Sequence, residues 1–208
     1  MTYNRMKPGE RRACADMAAR AFADYEYFSI YVPDDKRRAY CLRAMLNTSF
    51  NAYKHSAVFL TAKRDGKIAA VAQLMPPHTP EPTVSQYLWA GFWKALLWGG
   101  YRNMAAWYDM NCRAEKPCME LPGEAWFLSV LTVEPELEGK GIGSKMLKEC
   151  VIPYVKMQGG ESLCLFTNSE INRRFYTKNG FEEFHAQEFL YQGRSVGSWS
   201  YRVGLQNE

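Results

Sequence analysis

The chain has 208 residues, 47% of them hydrophobic and 14% aromatic, which is enough for one large core, so one domain over 1–208 with room for an insertion is expected. Its net charge of +4 is mixed along the sequence without a Lys/Arg stripe, which weighs against a nucleic-acid partner. Cys14, Cys41, Cys112, Cys118, Cys150 and Cys164 form no C-x-x-C pair and no zinc spacing, and no apolar run reads as a signal peptide or a membrane span. A soluble cytoplasmic protein with reduced thiols, no metal and no membrane partner is the expectation.

Residues 2–6 read as a short strand ended by Lys7-Pro8-Gly9, followed by a helix from about Glu10. The aromatic run 24–31 is irregular, and Val32-Pro33-Asp34-Asp35 caps a second helix that buries Leu42, Met45, Leu46 and Phe50. Residues 56–62 and 67–74, joined through Arg64-Asp65-Gly66, predict a hairpin. A stiff connector, Met75 through Pro82, leads to a segment at about 84–110 rich in Trp and Tyr, which Gly99-Gly100 breaks into two short helices. Its aromatics suit either core packing or the wall of an inserted substrate site. Residues 111–123 read as a loop.

Residues 127–146 organise the rest: a buried strand to about Glu134, a stop at Pro135, then Gly139, Gly141 and Gly143 opening a helix. Glycines permit a tight turn and close backbone approach, and the unpaired N–H groups at the helix start suit a phosphate. A Walker loop is excluded because Ser144 replaces its second glycine and Met146 follows Lys145; the dinucleotide fingerprint fits poorly. Pro153 is expected to bend or end the helix early. A strand at 162–167, a helix at 170–178 ended by Asn179-Gly180, and strands at 181–190 and 195–203 complete a mixed α/β sheet.

Two stretches together, VEPELEGKGIGSKML and LCLFTNSEINRRFYTKNGFEEF, resemble the GNAT superfamily of acyl-CoA-dependent N-acetyltransferases. The first is similar to that family's pyrophosphate loop, the second to its next strand and the helix that carries Phe175, Tyr176, Gly180 and Phe181. The resemblance implies a mostly antiparallel central sheet flanked by helices on both faces, with the helical insertion placed before the central strand. It implies acetyl-CoA between the strands ending at Val133 and Thr167, its pantetheine arm along Leu131, Thr132 and Val133. The pyrophosphate would lie against Glu138, Gly139, Lys140, Gly141, Ile142, Gly143 and Ser144. Asn168, Asn172 and Phe175 would flank the arm, and Arg173, Arg174 and Lys178 would offer charge to the 3′-phosphate. Glu138 stands where the family usually carries Arg or Gln, so its carboxylate is expected to turn to solvent.

The implied chemistry is direct attack of an amine on the thioester in a ternary complex. The amine belongs to a small molecule or a peptide. Tyr176 would protonate the departing thiolate, and a backbone N–H near Val133 would hold the oxyanion. Ala125 occupies the place where some relatives put a histidine, which leaves Glu124, then Glu120, as carboxylates able to take the amine proton. The alternative is an acyl-CoA-binding sensor or interaction module on the same fold. Homodimers are common in the family, so a homodimer is also admitted.

Overall fold

In the computed structural model, which describes residues 1–205, the sheet has seven strands in the order β1-β2-β3-β4-β5-β7-β6. They are β1 (Thr2–Arg5), β2 (Val58–Arg64), β3 (Lys67–Met75), β4 (Ala125–Val133), β5 (Ser162–Thr167), β6 (Glu182–Tyr191) and β7 (Arg194–Gly204). Every pair of neighbours is antiparallel except β4 and β5, which are parallel, so the sheet is mixed and mostly antiparallel as expected.

Strand alternation feeds two cores. On one face α1 (Arg11–Ala21), α2 (Glu26–Ser29) and α3 (Asp35–Ala52) pack with Phe59, Val71 and Val130. Asp34 caps α3 by accepting the Arg37 N–H at 2.8 Å, a contact worth about 1 kcal/mol. The buried Arg38 guanidinium ties the preceding loop down through the carbonyls of Ala23, Val32 and Pro33. On the other face, α7 (Ile142–Met146), a π turn (Leu147–Val151), α8 (Ile152–Met157) and α9 (Glu170–Lys178) cover Leu60, Ala70, Ala72 and Leu165. Met146, Leu147, Val151 and Val155 are fully buried there, at about 1.5–3 kcal/mol for each large side chain.

Of the two outcomes expected at Pro153, the helix does not end there: the backbone passes through the π turn into α8, and the widened turn accommodates a residue that lacks an N–H. The expectation for the insertion is corrected. The insertion is longer than 84–110 and has three helices: α4 (Val84–Ala90), α5 (Phe92–Gly99) and α6 (Tyr101–Met119). Gly91 (φ 116°) and Gly100 (φ 81°) separate them. The presumed loop 111–123 is mostly the second half of α6, because Met104, Met110, Ala114 and Cys118 continue one buried stripe through Pro117. Among the described residues, no helix is long and apolar enough to cross a membrane.

Candidate active site

Strands β4 and β5 pair only at Ala125, Trp126 and Phe127, against Ser162, Leu163 and Cys164. Beyond that point β4 bonds only β3, and β5 only β7, so the sheet opens into a wedge. The wedge coincides with a β-bulge. Leu128 faces Leu74 and Val130 faces Gln73, which makes Ser129 the extra residue. The bulge reverses the alternation: Leu128 packs with Leu131 and Val133, whereas Val130 turns to the opposite core. Glu134 donates its N–H to Ala69 on β3 at 2.9 Å, so by alternation the N–H groups of Leu131 and Val133 point to the opened edge.

At the top of the wedge the chain turns through Pro135–Leu137 and enters α7. Gly139 (φ 72°) and Gly141 (φ 74°) hold left-handed backbone, which other residues adopt at a cost of roughly 1–2 kcal/mol. The first backbone bond into the helix is Lys145 N–H to Gly141 O, and the N–H groups of 139–144 have no partner among the described residues. Gly143 lies so close to Phe175 that a Cβ there would stand 3.2 Å from Phe175 Cζ and 3.7 Å from Val133 Cγ2. This row of free donors at a helix start, with Phe175 and Val133 packed close to Gly143, fits a pyrophosphate and the arm attached to it. Glu138 is exposed and Lys140 donates to the Glu136 carbonyl at 2.8 Å, so the carboxylate can stay in solvent.

Below the loop the wedge opens into a cavity of about 1130 Å³ that runs from Asn168, Asn172 and Tyr176 to the insertion. Tyr176 is buried against Phe175, Phe181 and Tyr201, and burial raises its pKa above that of an ordinary phenol. Its hydroxyl has no hydrogen-bond partner among the described residues. Tyr25 accepts the Asn168 backbone N–H at 2.9 Å, shares a bond with Thr167 Oγ1 at 2.8 Å, and receives Asn172 Nδ2 at 3.4 Å. The Asn168 amide nitrogen is already committed to the Gly197 carbonyl at 2.7 Å. Arg173 is committed too, to Glu170, Glu183 and the face of Trp199; Arg174 and Lys178 remain exposed.

The two carboxylates singled out in the sequence do not reach this cavity. Glu124 is exposed where β4 and β5 still pair, its backbone tied to Glu161. Glu120 is exposed and pairs with Lys116 at 3.6 Å. The cavity instead contains Glu115, on the part of α6 that reads as a loop in the sequence. Asn111 Nδ2 donates to Glu115 Oε1 at 2.8 Å, and Asn111 Oδ1 accepts the Tyr27 hydroxyl at 2.6 Å. Loss of solvation pushes the Glu115 pKa up to about 7; the Asn111 bond works against that rise and the nearby Glu81 adds to it. The i, i+4 spacing of Asn111 and Glu115 beside a buried stripe was the available signal. Among the described residues, no cluster of three or more His, Cys, Asp or Glu could hold a metal.

Residues 105–183 match the family model of the acetyltransferase (GNAT) domain. No curated protein sequence matches the chain significantly. Solved structures share the fold over nearly the whole length. A Corynebacterium glutamicum protein named histone acetyltransferase HPA2 and related acetyltransferase is 18% identical, with 96% of this chain and 94% of that chain covered at a TM-score of 0.65. The ribosomal-protein-alanine N-acetyltransferase from Brucella melitensis is 15% identical, with 99% and 100% covered at 0.58. A GNAT family acetyltransferase from Elizabethkingia anophelis, solved with acetyl-CoA bound, is 14% identical, with 98% and 97% covered at 0.51.

Proposed function

For a chain with a GNAT acetyltransferase domain on the GNAT fold, we propose that it transfers an acetyl group from acetyl-CoA to a primary amine. The observation that carries this reading is the wedge: the opened β4 edge, Tyr176 and Glu115 border one cavity, and the free N–H groups of 139–144 stand at the helix start that follows β4. When bound, acetyl-CoA supplies a thioester carbonyl that is open to attack by an amine. Leu131 and Val133 offer backbone donors to its arm, as a sheet edge does for an added strand. Gly139, Lys140, Gly141, Ile142, Gly143 and Ser144 offer N–H groups to its pyrophosphate. Phe175 and Asn172 flank the arm, and Asn168 contributes its position more than its amide, which is spent on Gly197.

An alkyl amine arrives mostly as an ammonium, and the Glu115 carboxylate takes a proton from it. A group that titrates near neutral pH is well matched to that task. Tyr176 stays protonated because burial raises its pKa, so it can give its proton to a leaving thiolate. Six unpaired cysteines support a reducing compartment such as the cytoplasm.

The experiment is a titration with acetyl-CoA followed by thermal shift and amide hydrogen exchange. The reading predicts a raised Tm and slowed exchange at Leu131, Val133 and 139–144. Unchanged exchange at those amides with saturating acetyl-CoA overturns it.

A further inference from the structure

The cavity is larger than an acetyl group and the end of a pantetheine arm require, and its far part is built by the insertion. Its volume of about 1130 Å³ lies just above the range of about 300–1,000 Å³ for sites that enclose small molecules. The wall there is aromatic and aliphatic: Phe28, Tyr87, Phe92, Leu96, Trp107 and Tyr108. Phe28 and Trp107 stack at 6.1 Å, and the Tyr53 and Tyr87 hydroxyls satisfy one another at 3.0 Å, so these faces are fixed by the protein's own contacts.

Against this wall the ionisable groups are unequal in sign. Glu115 and Glu81 are both carboxylates, and the one lining histidine among the described residues, His78, is exposed. The one lysine that lines the cavity, Lys116, is an exposed group paired with Glu120. Glu115 spends one oxygen on Asn111, and its other oxygen has no partner among the described residues. A carboxylate left with an open oxygen inside an apolar chamber is matched by a single cation with an apolar body. Glu81 is exposed, so a second charge on the same molecule would meet a solvated carboxylate and not a second buried one.

We propose that the acceptor is a monocationic amine with a ring-bearing or branched apolar body, enclosed in the insertion's half of the cavity with its ammonium on Glu115. This rests on the acyl-transfer reading for the fate of the amine, but the binding site itself does not need acetyl-CoA. The rim includes Val84, Leu88 and Tyr101, which are 77%, 41% and 78% exposed, so the entry is apolar as well. A polyamine or a hydrophilic amine gains nothing from these walls.

The test is calorimetric binding without acetyl-CoA, using 4-phenylbutylamine, 4-phenylbutanol, butylamine and spermidine as probes. Burial of a phenyl group predicts that phenylbutylamine binds at least about tenfold tighter than butylamine. It should also bind at least about tenfold tighter than the alcohol, because only the ammonium answers Glu115. Glu115→Gln, nearly isosteric, should abolish the preference for amine over alcohol while alcohol binding persists. If the variant does not fold, the amine-to-alcohol ratio of the wild type decides the matter alone. Spermidine or butylamine binding as tightly as phenylbutylamine overturns the proposal, and so does the absence of saturable binding by any probe. Selective amine binding with no thiol release on adding acetyl-CoA supports this site and overturns the acyl-transfer reading instead.

Discussion

Asn111 holds Glu115 from one turn earlier on α6, its amide nitrogen 2.8 Å from Oε1 while its amide oxygen accepts the Tyr27 hydroxyl at 2.6 Å. The pair fixes the orientation of the only acidic side chain that the insertion's long helix turns into the cavity. Its consequences can be measured.

The first concerns pH and rate. Glu115 acts only when deprotonated, so kcat/KM with an apolar amine should rise through an apparent pKa near about 7 as pH increases. Glu115→Gln should lower kcat/KM by about a hundredfold or more and erase that limb. Retention of the same limb in the variant would assign it to another group.

The same group affects stability. Its folded pKa is raised above the usual carboxylate range, so the native state holds the proton more tightly than the unfolded chain does. The stabilisation is fully present below the unfolded pKa and is lost as pH rises through about 7. Melting curves of the wild type and Glu115→Gln should therefore diverge between pH 5 and 8, with the variant gaining relative Tm at the alkaline end. A constant difference would mean that Glu115 is solvated.

Tyr176→Phe should leave acetyl-CoA affinity within about twofold and lower kcat by about a hundredfold, the scale of one lost general acid. Binding and turnover measured on the same preparation separate the two effects. Full turnover in the variant would remove Tyr176 from the chemistry.

At Gly141 an added Cβ meets nothing within 4 Å, so Gly141→Ala tests backbone conformation alone. With φ at 74°, the methyl group strains the loop by about 1 kcal/mol, and acetyl-CoA should bind about fivefold more weakly. Equal affinity would show that the loop's shape is not used.

Glu138→Gln removes a negative charge beside the free N–H groups. Affinity for acetyl-CoA should improve by about twofold to fivefold at low salt and converge with the wild type at high salt. Weaker binding by the variant would show that the carboxylate has a favourable role.

Much of this architecture is legible in the sequence because it depends on local chemistry. Strand β5 and helix α9 fall on the predicted residues, since Gly159-Gly160, Ser169 and Asn179-Gly180 bound them on each side. The glycine loop is legible for the same reason: only glycine suits its left-handed positions. The bulge at Ser129 leaves no such trace, because a run that is apolar on both faces hides a change of alternation. Glu115 was hidden by Pro117, which reads as a helix breaker although in the last turn of α6 the helix absorbs it. Glu124 and Glu120, the carboxylates nearest the start of β4 in the sequence, are both exposed outside the cavity. The sequence likewise could not show that Arg173 and the Asn168 amide are engaged elsewhere, since Glu183 and Gly197 reach them only through the folded sheet.

The most direct measurement is the stoichiometry of the reaction itself. Wild-type protein is incubated with acetyl-CoA and 4-phenylbutylamine, and free thiol and N-acetylated amine are quantified together. The account predicts that both appear in equal amounts, saturably in each reactant, and that neither accumulates when the amine is omitted. Thiol release without the amide, or no amine-dependent release from a protein that demonstrably binds acetyl-CoA, would contradict it.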